Sequence, residues 1–117
     1  MAERVAVRDT ELLERDPVLR AIVERLVAAL QPERIYLFGS RARGTGTAES
    51  DYDLLVVLPA SDLPPHRRDL QAYRALYGVG VPKDVVVYTH AEFEARSRAP
   101  TSLPATVLRE GRLLYAA

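Results

Sequence analysis

Hydrophobic side chains along the chain follow two spacings, one typical of amphipathic helices and one typical of buried strands. The clearest helix begins at Asp16 and Pro17, because Asp is a favoured N-cap and Pro fits the first helical turn. Apolar residues then recur every three or four positions until the chain reaches Pro32: Val18, Leu19, Ile22, Val23, Leu26, Val27 and Leu30. This spacing predicts a helix with one buried face.

Short apolar segments farther along the chain predict strands. Residues 35–38 are β-branched, aliphatic or aromatic and lead directly into Gly39, which suits a buried strand that stops at a tight turn. Residues 53–58 and 84–88 are hydrophobic after an initial Asp, as in strands covered on both faces. Residues 112–115 (RLLY) predict an edge strand.

Helical segments are predicted between these strands. A brief helical turn follows Ser40, a helix covers residues 66–77, and two more begin after Thr89 and at Ser102. The side chains predicted to pack the helix at 66–77 against the sheet are Leu70, Tyr73, Leu76 and Tyr77. This order of elements predicts an α+β domain with a mixed central sheet between helical layers, an αβα arrangement.

Length and composition favour one small globular domain. The 117 residues are 48% hydrophobic, which is enough for a single domain over residues 1–117 with its core at about 17–115. Sixteen basic residues balance 16 acidic ones, so the chain lacks the net positive charge that holds long nucleic acids. We therefore expect no long nucleic acid partner, and a processive polymerase is disfavoured.

The same counts bear on the compartment. Cysteine is absent, which excludes disulfides and thiolate zinc sites. The longest aliphatic run, residues 54–58, is far shorter than the roughly 20 residues of a membrane span. The first 16 residues mix both charges and lack the apolar segment of a secretory signal. We expect a cytoplasmic protein with no membrane partner.

Three carboxylates are the first candidates for chemistry. Asp51 and Asp53 are two residues apart at the start of a strand, so both should point the same way, about 7 Å apart. If the next strand lies alongside, Asp84 can join them. Three such charges need cations or a raised pKa, since two of them 4 Å apart repel by roughly 4 kcal/mol at an effective dielectric constant of 20. Oxygen ligands of this kind favour Mg²⁺ or Mn²⁺, and a pair of such ions serves phosphoryl or nucleotidyl transfer.

A phosphate site is predicted beside the carboxylates. Gly39 permits close approach of the backbone, and Ser40 begins a helical turn whose N–H groups can bind an anion. Arg41 and Arg43 are close enough in sequence for one of them to hold a pair of phosphate oxygens. Each feature alone has a simpler explanation: a solvated strand end, an ordinary turn, surface charges, or an ion pair between Asp84 and Lys83.

The combined motif resembles the nucleotidyltransferase superfamily that includes DNA polymerase beta. Its signature is Gly-Ser at a strand end, a small helix, Asp-x-Asp on the next strand and a further Asp on a third. The matching residues here are Gly39, Ser40, Asp51, Asp53 and Asp84. The segment GSRARG in so short a chain looks most like the minimal nucleotidyltransferases. The resemblance implies a polymerase beta-like fold and covers about residues 17–115.

The resemblance also implies roles for these residues. Asp51 and Asp53 would bind two Mg²⁺ ions, for which Mn²⁺ could substitute, and Asp84 would complete the site where the acceptor hydroxyl is activated. Gly39 and Ser40 would hold the triphosphate of ATP or another nucleoside triphosphate, with Arg41 or Arg43 as further phosphate contacts. The reaction would transfer a nucleoside monophosphate and release pyrophosphate.

The acceptor must come from elsewhere, because the chain has no residues left for a second domain. Many minimal nucleotidyltransferases are paired with a helical toxin of the HEPN class and act as its antitoxin, in some pairs by attaching AMP to a tyrosine. The leading hypothesis is therefore a protein adenylyltransferase antitoxin. An antitoxin that acts by binding alone, or nucleotidyl transfer to a small molecule, stays open, as does a homo-oligomer that pairs through the edge at 112–115.

Overall fold

The structure, a computed structural model, describes residues 8–117. These residues form six helices and four strands. The helices are α1 Thr10–Arg15, α2 Pro17–Leu30, α3 Gly39–Arg43, α4 Pro65–Ala75, α5 His90–Ser97 and α6 Leu103–Glu110. The strands are β1 Arg34–Phe38, β2 Tyr52–Leu58, β3 Lys83–Thr89 and β4 Arg112–Ala116.

The four strands form one mixed sheet in the order β3-β2-β1-β4. β2 and β3 are parallel, whereas β1 is antiparallel to both β2 and β4. The prediction of a mixed central sheet is confirmed. The predicted edge strand at 112–115 is also present, as β4.

Helices cover both faces of the sheet. Leu54 in β2 belongs to a hydrophobic core with Leu19 of α2 and residues of α4. Its neighbour Leu55 belongs to a second core with Phe93 of α5 and Val107 of α6. Because successive strand residues face opposite ways, a strand buried on both sides must be apolar throughout. This arrangement confirms the predicted αβα layers.

Local hydrogen bonds define the helix starts that the sequence predicts. The side chain of Asp16 accepts the N–H of Leu19 at 3.0 Å and caps α2. Thr89 and Glu92 form a reciprocal capping box at the start of α5. Ser102 caps α6 in the same way as Asp16 caps α2. These caps satisfy backbone donors that a helix start otherwise leaves without partners.

The inner face of α4 differs from the predicted one. Leu70 is 47% exposed, Tyr73 37% and Tyr77 86%, so the prediction that they pack in the core is wrong. The buried positions are Arg68, Ala72 and Leu76, which follow one another at four-residue spacing.

A buried ion pair explains which face of α4 turns inward. Arg68 is 3% exposed, and its guanidinium donates to both carboxylate oxygens of Glu92, at 2.7 and 2.9 Å. Its Nε also donates to the carbonyl of Leu63 at 3.1 Å. A buried charge is tolerated when it is paired and hydrogen-bonded in this way. Arg68 therefore takes the place of an apolar side chain and joins α4 to α5.

Glu92 should make the stability of the fold sensitive to acid. The hydrogen bonds from Arg68 lower the pKa of Glu92 to about 2. A carboxylate with a depressed pKa stabilises the folded chain above its unfolded pKa, and this contribution is lost as the pH falls through the folded pKa. We expect Glu92→Gln to lower the free energy of unfolding by about 1 kcal/mol near pH 7. The value is modest because the side chain of Glu92 is 37% exposed and solvent screens its charge.

Urea titrations from pH 7 to pH 2 would check this prediction. The difference between wild type and Glu92→Gln should shrink below about pH 5 and vanish near pH 2. Glu94→Gln, an exposed change on the same helix, is the control. A difference that does not depend on pH would contradict the prediction.

Both edges of the sheet are partly covered. On the β3 edge, the N–H of Val85 donates to the hydroxyl of Tyr73 at 2.9 Å, and the N–H of Val87 donates to Asp69 Oδ1 at 3.1 Å. On the β4 edge, the N–H of Asp9 donates to the carbonyl of Leu113 at 2.7 Å. Unpaired strand edges invite pairing with other chains, and these contacts reduce that exposure. A homo-oligomer through β4 stays a prediction.

Among residues 8–117, no helix combines the length and the apolar character that a membrane crossing requires. The prediction that the chain begins without a secretory signal depends largely on residues 1–7, which lie outside the described residues. Helix α1, with Asp9 as its N-cap, lies in a region to which the sequence assigned no structure.

Candidate active site

Three segments of chain meet at one end of the sheet. Phe38, the last residue of β1, pairs in register with Asp53 near the start of β2. Asp53 in turn pairs in register with Asp84 near the start of the parallel strand β3. Side chains that are paired in register on neighbouring strands point to the same face of a sheet. Gly39, Asp53 and Asp84 therefore lie together, and Asp84 is on the same side of the sheet as Asp53.

Gly39 lies directly against the carboxylate of Asp53. Its φ is +77°, a left-handed conformation that glycine adopts easily. A Cβ at this position would overlap Asp53 Oδ2 and would be 3.1 Å from Asp53 Cγ. Both the backbone conformation and the close contact therefore require glycine at the junction of β1 and α3.

We call the end of the sheet formed by Gly39, Asp51, Asp53 and Asp84 the corner. Negative charge dominates its electrostatics. Burial raises the pKa of Asp53 above its usual value, and the carboxylates of Asp84 and Asp51 raise it further. The guanidinium of Arg43 acts in the opposite direction. A carboxylate in such surroundings is stabilised by a bound cation, which compensates for both burial and repulsion.

The three aspartates do not yet form a coordination shell. Within residues 8–117, no three acidic or histidine side chains lie close enough together to hold one metal ion. The binding of two ions by Asp51, Asp53 and Asp84 therefore stays a prediction. The donor set, three carboxylates with one raised pKa, fits a hard divalent cation.

Tyr73 of α4 is part of this corner and was missed by the sequence analysis, which placed it in the core. Its hydroxyl donates to Asp84 Oδ1 at 3.1 Å and accepts the N–H of Val85 at 2.9 Å. Burial raises the pKa of the Tyr73 phenol, the Val85 N–H lowers it, and Asp84 raises it, with a net increase. The phenol thus stays protonated near neutral pH. No pattern in the sequence links residue 73 with residue 84.

Helix α3 leaves polar groups free at its start. Its N-cap residue, Phe38, has no side chain that can accept the first N–H groups. The carbonyl of Ser40 accepts the N–H of Thr45 at 3.0 Å and so closes the short helix. Within residues 8–117, the structure shows no hydrogen bond made by the Ser40 hydroxyl. These donors are therefore available to an anion.

The two predicted arginines of α3 lie in different surroundings. Arg41 donates from Nε to the carbonyl of Ser50 at 2.9 Å and from Nη2 to the carbonyl of Ala48 at 3.1 Å. Its guanidinium also lies over the ring of Tyr52, 3.9 Å from the ring centre. Arg41 is thus used to hold the loop that leads into Asp51.

Arg43 lies between the carboxylates and an open cleft. It influences the charge of Asp53, and it also lines a cleft of about 700 Å³ beside α3. Arg109 and Arg112 line the same cleft, together with acidic residues. None of the three aspartates is among the described residues that line it. Of the two arginines, Arg43 has the better position for a phosphate contact.

A protein-family model matches most of the chain. The model described as "Nucleotidyltransferase domain" aligns with residues 19–114, which include every candidate residue of the corner. No curated protein matches the chain significantly.

Solved structures share the fold. A "putative nucleotidyltransferase" from Sulfolobus solfataricus is 24% identical with a TM-score of 0.63, over 92% of this chain and 86% of that one. A toxin-antitoxin structure with AMP-PNP is 24% identical with a TM-score of 0.59, over 84% and 73% of the two chains. A mutant of the toxin-antitoxin MntA-HpeT is 21% identical with a TM-score of 0.57, over 84% and 73%. At these identities the likenesses show the fold alone.

Proposed function

Because the chain belongs to the nucleotidyltransferase domain family, we propose that it transfers AMP from ATP to a hydroxyl group of a partner protein. The observation that supports this most strongly is the corner itself. Gly39 has a positive φ and lies against the carboxylate of Asp53. Asp53 in turn pairs in register with Asp84. Sequence spacing alone did not require this arrangement.

In this proposal, each group at the corner has a separate task. Asp51 and Asp53 hold two divalent ions, Mg²⁺ or Mn²⁺, and Asp84 completes the site beside the acceptor hydroxyl. When bound, such ions polarise the attacking oxygen and neutralise charge on the leaving phosphates. Gly39 and Ser40 bind the triphosphate through the start of α3, and Arg43 supplies a positive charge from the cleft side.

The chemical step is a substitution at the α-phosphorus of ATP. The acceptor oxygen forms a bond to phosphorus as the bond to the bridging oxygen of the β-phosphate breaks. In this proposal the proton of the acceptor hydroxyl passes to the carboxylate of Asp84, and pyrophosphate leaves. The protein needs no covalent intermediate, so its contribution is positioning and charge stabilisation.

The proposed acceptor is a helical toxin of the HEPN class, with this chain as its antitoxin. Two solved structures with the same fold are toxin–antitoxin structures, one of them with AMP-PNP. Residues 8–117 supply the sheet and its helical layers, and in this proposal the acceptor hydroxyl belongs to the partner.

Two forms of radiolabelled ATP would test the reaction. The chain, Mg²⁺ and a helical partner that co-purifies with it are incubated with ATP labelled at the α- or the γ-phosphate. We expect label on the partner only from α-labelled ATP, and an increase in its intact mass equal to one adenylyl group. Asp51→Asn/Asp53→Asn should transfer nothing, whereas Asp62→Asn, an exposed change outside the corner, should transfer normally. Label from γ-phosphate would indicate phosphorylation and contradict the proposal.

A second function is an antitoxin that acts by binding alone. Toxin-antitoxin structures share the fold, and neutralisation by binding would need the fold but not the aspartates. The two functions differ in one outcome: if Asp51→Asn/Asp53→Asn neutralises the partner in cells as well as the parent chain does, catalysis is dispensable.

A further inference from the structure

Tyr73 makes two hydrogen bonds with the strand that carries Asp84. Its hydroxyl oxygen accepts the N–H of Val85 at 2.9 Å, and its proton is donated to Asp84 Oδ1 at 3.1 Å. The residue is 37% exposed, and these two hydrogen bonds tie its hydroxyl to β3. The phenol thus bridges α4 and the start of β3 beside the candidate active site.

Covering the edge of β3 does not by itself explain a tyrosine. Two residues farther along the strand, the N–H of Val87 is covered by Asp69 Oδ1 at 3.1 Å. An acceptor is sufficient for that task, and a short acidic side chain of α4 supplies it. Tyr73 differs from Asp69 because it also carries a proton, and this proton is donated to Asp84. The hydrogen bond from Tyr73 to Asp84 is therefore the contact that edge covering does not explain.

That bond restrains a side chain that would otherwise be mobile. Asp84 is exposed and is the second residue of β3. A carboxylate at an exposed strand end samples several rotamers, and binding would have to select one of them. Because Tyr73 occupies Oδ1, the carboxylate is held from the α4 side. A neutral donor can do this without adding a positive charge that would compete with a cation.

We propose that Tyr73 is a positioning residue that holds Asp84 in the orientation needed for a divalent cation. This inference rests on the proposed function, in which Asp84 contributes to the metal site. Hydrogen-bond partners of metal ligands commonly change metal affinity or activity by 10- to 100-fold when they are removed.

Metal binding by the chain without a nucleotide or partner provides the test. Mn²⁺ is titrated into metal-free protein, and free Mn²⁺ is measured by electron paramagnetic resonance. We expect Tyr73→Phe to weaken Mn²⁺ binding by about tenfold. Tyr77→Phe is the matched control, since it removes a hydroxyl four residues away from a side chain that is 86% exposed, and it should bind as wild type does.

A double-mutant cycle separates positioning from a purely structural role. If Tyr73 acts through Asp84, Tyr73→Phe should have no further effect on Mn²⁺ binding in an Asp84→Asn background. In the transfer assay, kcat should fall while KM for ATP stays near the wild-type value. Melting temperatures of all variants are measured alongside.

The outcomes distinguish this inference from the proposed function. Wild-type Mn²⁺ affinity in Tyr73→Phe, with or without a lower melting temperature, overturns the positioning role. An equal loss in the Asp84→Asn background also overturns it. If Asp84→Asn itself binds Mn²⁺ normally, or if the wild type binds none, the metal site of the proposed function fails as well.

Discussion

Asp53→Asn should reduce nucleotidyl transfer by about a thousandfold while it stabilises the metal-free chain. Loss of a metal ligand removes several kcal/mol of transition-state stabilisation, and each 1.4 kcal/mol is about a factor of ten in rate. The gain in stability has a separate origin. Burial and the charges of Asp84 and Asp51 disfavour ionised Asp53, and an amide of the same shape avoids that cost.

The stability difference between Asp53→Asn and the wild type should change with pH in a definite direction. The pKa of Asp53 is raised, so its ionisation is easier in the unfolded chain than in the folded one. Below the pKa of Asp53 in the unfolded chain, Asp53 therefore costs the wild type no stability. The free energy of unfolding of the wild type falls as the pH rises through the pKa of Asp53 in the folded chain. Asp53→Asn should show no such loss. The higher free energy of unfolding of Asp53→Asn, relative to the wild type, should be absent at low pH and complete at neutral pH.

Urea denaturation in a chelator, from pH 3 to pH 8, would measure the stability, and the α-labelled ATP assay would measure the activity. Asp62→Asn is again the control, and it should change neither quantity. A destabilised Asp53→Asn protein would show that Asp53 is held for structural reasons. Substantial remaining transfer would remove Asp53 from the proposed metal site.

Gly39→Ala should combine a large loss of stability with a large loss of activity. The left-handed φ of +77° costs an alanine about 1 kcal/mol or more, and the new methyl group overlaps Asp53 Oδ2. Together we expect a loss of about 2 to 4 kcal/mol in the free energy of unfolding. Because the methyl group displaces Asp53, transfer should fall by about a hundredfold or more even at temperatures where the variant is folded.

Gly44→Ala separates strain from steric overlap. Gly44 has almost the same φ, +78°, but nothing lies within 4 Å of a Cβ built there. The substitution should therefore cost only the backbone strain, about 1 to 2 kcal/mol, and should leave transfer within a fewfold of wild type. Thermal melts and transfer rates of the two variants would be compared at one temperature. Similar activity losses in both would indicate that strain in α3, and not contact with Asp53, disturbs the site.

Much of the secondary structure could be predicted because its signals are local. Asp16 and Ser102 cap their helices through residues three positions away, and the capping box at Thr89 has the same reach. Periodic apolar residues predicted α2, and a continuous apolar run predicted β2. These signals depend only on residues that are near one another in the chain, so they can be recognised in the sequence without the tertiary structure.

The errors fell where distant residues decide the outcome. The inner face of α4 was misassigned because Arg68 is buried by Glu92, which lies 24 residues away. A phosphate contact by Arg41 or Arg43 stays a prediction, but the sequence did not reveal that the guanidinium of Arg41 holds the loop at Ala48 and Ser50. In both cases the residue type permitted either outcome, and the contact partner determined which one occurred.

By itself, the sequence determined the types of element, the layered arrangement and the residues that could carry chemistry, because hydrophobic period and residue type are properties of short segments. Only the tertiary structure decided that Asp84 lies in register with Asp53, that Gly39 contacts the carboxylate of Asp53, and that the hydroxyl of Tyr73 donates to Asp84. These facts depend on strand order and register, which arise when segments distant along the chain pack together.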